Sequence, residues 1–162
     1  YVWVFSILFW SEVVMTIDEV KAILGIVRFI EGQIEDAEEE LIMLKAKSLK
    51  ITSALSMGPV HGGTQDKIAQ VVADIADMEN YIVERTEAYK KMRMKAYKLI
   101  ELLDSPKDAK FISDWYLKKE KRIATCDRNG YERQGGYKAR NRIIREIARK
   151  TEELATLGDI LT

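Results

Sequence analysis

The sequence predicts an all-α protein: a long antiparallel helical hairpin, that is a coiled coil, followed by a small C-terminal helix-turn-helix-like unit. Three observations carry this. Apolar residues step by three and four through residues 16–50 and again through 64–104, the spacing of one helical face. No stretch alternates with the period of two that a half-buried strand needs. A basic stripe at helical spacing, Lys138, Arg142, Arg145 and Arg149, lies near the C-terminus with Ile143, Ile147 and Leu154 on the opposite face.

Residues 1–14 are apolar and aromatic, yet shorter than the roughly 20 apolar residues that span a bilayer. They lack the cationic start and small-residue cleavage site of a secretory signal. Met15 precedes Thr16-Ile17-Asp18-Glu19, a capping box with Thr16 as N-cap and Glu19 reaching back. The expectation is a natural start at Met15, with residues 1–14 as upstream-translated or disordered sequence. The alternative is a membrane-surface or partner-binding segment.

From Thr16 to about Lys50 the seam reads Val20, Ile23, Val27, Ile30, Ile34, Ala37, Leu41 and Leu44, with acids Glu31, Glu35, Glu38 and Glu39 outside. Thr52 to Gln65, holding Ser53, Ser56, Gly58, Pro59, Gly62 and Gly63, reads as a loop. The second helix begins at Thr64 or Asp66 and runs to about Asp104, along Ile68, Val71, Ile75, Met78, Ile82, Arg85, Tyr89, Met92, Ala96, Leu99 and Leu103. Arg85 interrupts that seam and either pairs with an acid of the first helix or snorkels. Ser105 and Pro106 open a third helix as N-cap and N1, carrying Phe111, Ile112, Trp115, Tyr116 and Leu117. A short helix over Lys119 to Arg128, a turn from Gly130 to Gly136, and a last helix from about Tyr137 to Ala155 complete the chain. The expected division is 1–14, a hairpin over 15–104, and a DNA-binding unit over 105–162.

Lys and Arg number 26, as do Asp and Glu, but the neutrality is not uniform. Between Ser105 and Lys150 fourteen bases face six acids, which points to nucleic acid as partner of this end. The single Cys126 excludes an internal disulfide or thiolate cluster and fits a reducing, cytoplasmic setting. His61 has no partners for zinc or nucleophilic catalysis, and Gly58 to Thr64 lacks the order of a phosphate loop. Glu38 to Glu40 with Asp74 and Asp77 form an ordinary solvated acidic face. No enzyme activity, cofactor, metal or membrane partner is therefore expected.

The terminal three helices have the order of a helix-turn-helix with a supporting helix, the last being the one that enters the major groove. Lys138, Arg142, Arg145 and Arg149 would dock on the DNA, Arg142 and Arg145 serving either phosphates or base edges, with Arg140 and Asn141 at the margin and Asn141 suited to adenine. Ala46 to Ser53, then Val60-His61-Gly62-Gly63-Thr64-Gln65-Asp66-Lys67-Ile68, then Val72 to Glu79, resemble a family of small phage and prophage proteins of Gram-positive bacteria. The resemblance covers roughly Met15 to Lys150. It implies a helical hairpin joined to a helix-turn-helix similar to region four of sigma factors, hence a phage transcription regulator binding double-stranded DNA and recruiting RNA polymerase. Tyr116-Leu117, Ile123-Ala124 and Tyr131 follow the family pattern, whereas Glu132, Gly135 and Gly136 depart from it. The hairpin is the expected site of homodimerisation. The rival reading is a scaffold protein of phage assembly in which the hairpin is the working part.

Overall fold

The computed structural model describes residues 14–55 and 63–160. It is all-helical, and the two long helices pair as the hairpin that the seams require. The elements are α1 (Ile17–Leu55), α2 (Gly63–Ile100), α3 (Pro106–Leu117), α4 (Arg122–Arg128) and α5 (Arg133–Ile160). The apolar segment before Val14, and the loop residues 56–62 with His61, lie outside the described residues.

The start of α1 is the reciprocal cap read from sequence. Thr16 N–H donates to Glu19 Oε2 at 2.7 Å and Glu19 N–H donates to Thr16 Oγ1 at 3.3 Å. The Thr16 N–H and the Thr16 hydroxyl, both donating to Glu19 Oε2, hold the Glu19 carboxyl below its ordinary pKa. At its other end α1 runs past the expected stop at Lys50 to Leu55. Thr52 and Ser53 return their hydroxyls to the carbonyls of Ser48 and Leu49, so turn-forming side chains are satisfied inside the helix. α2 stops at Ile100, earlier than expected, and 3₁₀-type bonds from Leu102 to Leu99 and from Leu103 to Ile100 close it.

The chain forms two compact units, residues 29–90 and residues 14–28 with 91–160. In residues 29–90 the helices run antiparallel, with Lys45 Nζ 2.8 Å from Glu79 and Tyr89 hydroxyl donating to Glu31 at 3.4 Å. Only Ile30, Ala37 and Val71 are buried among its described apolar residues. Ile34, Leu41, Ile75, Met78 and Ile82 are half-buried on the seam. Two helices alone cover each other on one side, so a thin core follows. Arg85 lies over the Tyr81 ring, 5.1 Å from its centroid, which answers the two sequence alternatives with a stacked side chain.

The other unit holds the main core. Val20, Leu24 and Val27 of α1, Ala96, Leu99 and Ile100 of α2, and the apolar faces of α3 to α5 are buried there. Met15 N–H donates to the hydroxyl of buried Thr151 at 3.1 Å, and Arg28 donates to the carbonyl of Glu120 at 3.0 Å. α3 begins as expected, with Ser105 Oγ accepting from Asp108 N–H and Pro106 at N1. Its Phe111 and Trp115 rings lie 5.5 Å apart, and Tyr131 and Tyr137 pack against them at 4.8 and 5.1 Å. The aromatic cluster thus reaches both ends of the α4–α5 connection.

That connection corrects the sequence reading. Gly130 to Gly136 is not one turn: α5 starts at Arg133, and both Gly135 and Gly136 are helical. The turn is Asn129 to Glu132. Gly130 takes φ of 72°, its N–H bonds the carbonyl of Asp127, and Tyr131 N–H bonds that of Cys126. This is a Schellman termination, which needs a left-handed residue that glycine supplies without strain. Gly136 serves packing instead. A Cβ there would fall inside contact distance of Cys126 Sγ and 3.6 Å from the Trp115 ring, while one at Gly135 meets nothing within 4 Å. The lost side chain lets α5 cross α4 closely.

Gly136→Ala should therefore cost about 1–3 kcal/mol by overpacking, and Cys126→Ala in the same chain should recover part of the loss. Gly135→Ala should stabilise by up to about 1 kcal/mol through helix propensity. Urea unfolding of the four chains checks the sign of each change.

Candidate nucleic-acid interface

A buried carboxylate of α3 braces the turn between α4 and α5. Asp114 of α3, its side chain 2% exposed, accepts from Lys118 Nζ at 2.5 Å and from Asn129 Nδ2 at 3.2 Å. Asn129 also donates to the carbonyl of Thr125 at 2.9 Å. Burial pushes the Asp114 carboxyl up, but the hydrogen bonds from Lys118 and Asn129 and the charge of Arg128 outweigh it and hold the group below its ordinary value. Arg128 itself pairs with Glu120. A four-residue turn containing glycine therefore joins α4 to α5 and is braced to α3.

α5 then divides into two faces. Ala139, Ile143, Ile144, Ile147, Ala148, Thr151 and Ala155 are buried. Gln134, Lys138 and Arg145 are exposed, with Asn141 half-buried between them; steps of four, three and four set all four on one line of the helix. Lys138 and Arg145 make no ion pair among the described residues, so their charges face solvent.

The remaining members of the sequence-predicted stripe are engaged within the chain. Arg142 forms a bidentate pair with Asp108 of α3 at 3.0 and 2.8 Å, and also approaches Glu146 at 3.6 Å. The Asp108 hydrogen bonds raise the Arg142 pKa further above its already high value. Arg149 pairs with Glu153 one turn on. Arg140 lies over the rings of Trp115 and Tyr137, 5.9 Å from each centroid, and donates to Asn141 Oδ1 at 3.2 and 2.9 Å. With its oxygen occupied, Asn141 presents only its amide N–H groups, half of what bidentate adenine reading requires.

Sequence reasoning missed three cations and a glutamine. Lys121, Arg122 and Arg133 line a cleft of about 320 Å³ with Ile123, Cys126 and Tyr137, and no acid lines it. The Arg122 guanidinium sits 5.5 Å over Trp115. Cys126 at its floor is buried, which raises its thiol pKa. Arg133 and Gln134 fall outside a helix started at Tyr137, and the Gly135-Gly136 pair hid that earlier start. The signal available was Asn129-Gly130, a C-terminal stop after which a new helix begins within a few residues.

Among the described residues no group of three or more His, Cys, Asp or Glu is placed to hold a metal ion, and no helix is long and apolar enough to cross a membrane. No protein-family model, curated protein or solved structure matches the chain.

Two outcomes follow for the bracing residues. Because the Asp114 pKa is lower folded than unfolded, its ionised form stabilises the fold above the unfolded value near about 4. That contribution disappears as pH falls through the folded value. The parent should thus lose more stability than Asp114→Asn between about pH 5 and 2, read from urea midpoints. Arg142→Ala leaves the shielded Asp108 carboxylate unpaired and should cost about 1–2 kcal/mol, whereas Arg145→Ala should stay within about 0.5 kcal/mol.

Proposed function

We propose that this chain binds double-stranded DNA, with the exposed line of α5 in the major groove and the α4 cleft against the sugar-phosphate backbone. The observation that supports it best is a group of five cations that pair with no acid among the described residues, Lys138 and Arg145 on α5 and Lys121, Arg122 and Arg133 at the cleft, on either side of a braced four-residue turn. Phosphates take these cations, and Gln134 at the start of α5 sits where recognition helices meet base edges. Arg142, Arg140 and Arg149 shape and support the surface. On this reading the protein is a phage-type transcription regulator, as the sequence resemblance implies, with RNA polymerase as its second partner. The scaffold reading draws on a separate observation, the charge and apolar pattern of the hairpin described below.

The test is binding to duplex DNA as a function of salt. Neutralising about five phosphates gives a log–log slope near −4.5, and Lys138→Ala with Arg145→Ala should reduce its magnitude by about 1.8. The double variant should weaken binding to all sequences alike, while Gln134→Ala should alter preference between sequences. Absence of binding at low salt, or a double variant that binds as the parent does, removes α5 from the proposal.

A further inference from the structure

Charge is partitioned between the two compact units. Residues 29–90 carry twelve acids and six Lys or Arg, a net of −6. Residues 1–28 and 91–162 carry fourteen acids and twenty bases, a net of +6. Within the hairpin, α1 is itself divided. Every charged residue from Glu31 to Glu40 is acidic, and every one from Lys45 to Lys50 is basic. Exposed apolar residues lie between and beside these blocks on two flanks: Met43, 65% exposed, shares a strip with Asp36, Glu40, Lys47 and Lys50, whereas Ile42 and Leu49, 67% and 68% exposed, lie about 100–120° round the helix.

We propose that this outer side of α1 joins two copies of the chain about a two-fold axis passing beside Met43. An antiparallel pairing of α1 with its copy is the arrangement that makes the charge pattern self-complementary. Glu40 and Lys47 are equally far from an axis between residues 43 and 44, so Glu40 lies level with the partner's Lys47, and Asp36 lies within one residue of level with the partner's Lys50. The two-fold repeats each pairing. All four residues are exposed, and none forms an ion pair among the described residues. Asp36 and Glu40 also line a groove with Asp74 and Asp77 of α2, so the partner's lysines enter an acidic recess. Met43, on the same strip of the helix as Asp36, Glu40, Lys47 and Lys50, supplies the apolar centre, and a parallel pairing would set acid against acid. The hairpin's thin core gives α1 a second reason to be covered. The contact from Asp36 to Lys50 spans about 21 Å of helix, which suits an interface below the standard size and a dissociation constant in the micromolar range. This proposal stands apart from DNA binding.

Sedimentation equilibrium of the full chain tests it. The parent should dimerise in the micromolar range, and Glu40→Lys or Lys47→Glu alone should each weaken dimerisation about tenfold, since two attractive pairs become repulsive. An equimolar mixture of the two variants should recover a one-to-one dimer, because each then meets its opposite. Met43→Glu should abolish association in the parent and, carried by both members, in the mixture. Circular dichroism confirms that these exposed positions leave the helices intact. A parent that stays monomeric to about 100 µM, far above the expected constant, overturns the proposal. So does association that survives Met43→Glu but is lost in Lys138→Ala with Arg145→Ala, which would make the contact one between the acidic hairpin and the basic α5.

Discussion

The close crossing of α4 and α5 at Gly136 is the constraint on which the C-terminal unit depends. With hydrogen in place of a side chain, α5 comes down onto Cys126 and the edge of Trp115. Trp115 in turn touches Phe111 and Tyr137 and carries two guanidinium groups on its ring. A bulkier residue at this one position would lift the helix and open the aromatic cluster. The buried indole Nε1, without a hydrogen-bond partner among the described residues, is tolerated because the surrounding packing outweighs it.

The arginines of α5 illustrate how one residue type serves two ends. A guanidinium beside a buried carboxylate, as in Arg142 with Asp108, fixes the helix to its support through two parallel bonds. Arg140 over two aromatic rings adds stacking and orients Asn141. What remains for an outside anion are the cations that meet no acid, and these lie on both sides of the turn. Geometry therefore narrows a broad basic stripe to a smaller set of available charges, and shifts the emphasis toward the start of α5.

Separation of charge into a −6 hairpin and a +6 body gives a neutral chain two different surfaces. The positive one suits a polyanion. The negative one carries its own lysine block, so it is suited to its own copy.

Much of the fold was legible in the sequence. The three-four seams of both long helices, the Thr16–Glu19 cap and the Ser105-Pro106 start all depend on residues close in the chain, and local propensity and periodicity decide them. The Gly130 turn was legible for the same reason. The role of Gly136 was not, because a glycine in a helix start looks like a turn until the neighbour that excludes a side chain is known. Likewise, helical spacing placed Lys138, Arg142, Arg145 and Arg149 on one face, but it carries no information about Asp108, which lies 34 residues from Arg142 in sequence. The sequence alone thus determined the number and order of the helices, the pairing of the two long ones and the polarity of charge, but not where every helix begins and ends. Only the tertiary structure decided which cations are engaged inside the chain and which face solvent, because that depends on long-range contacts between α3, α4 and α5.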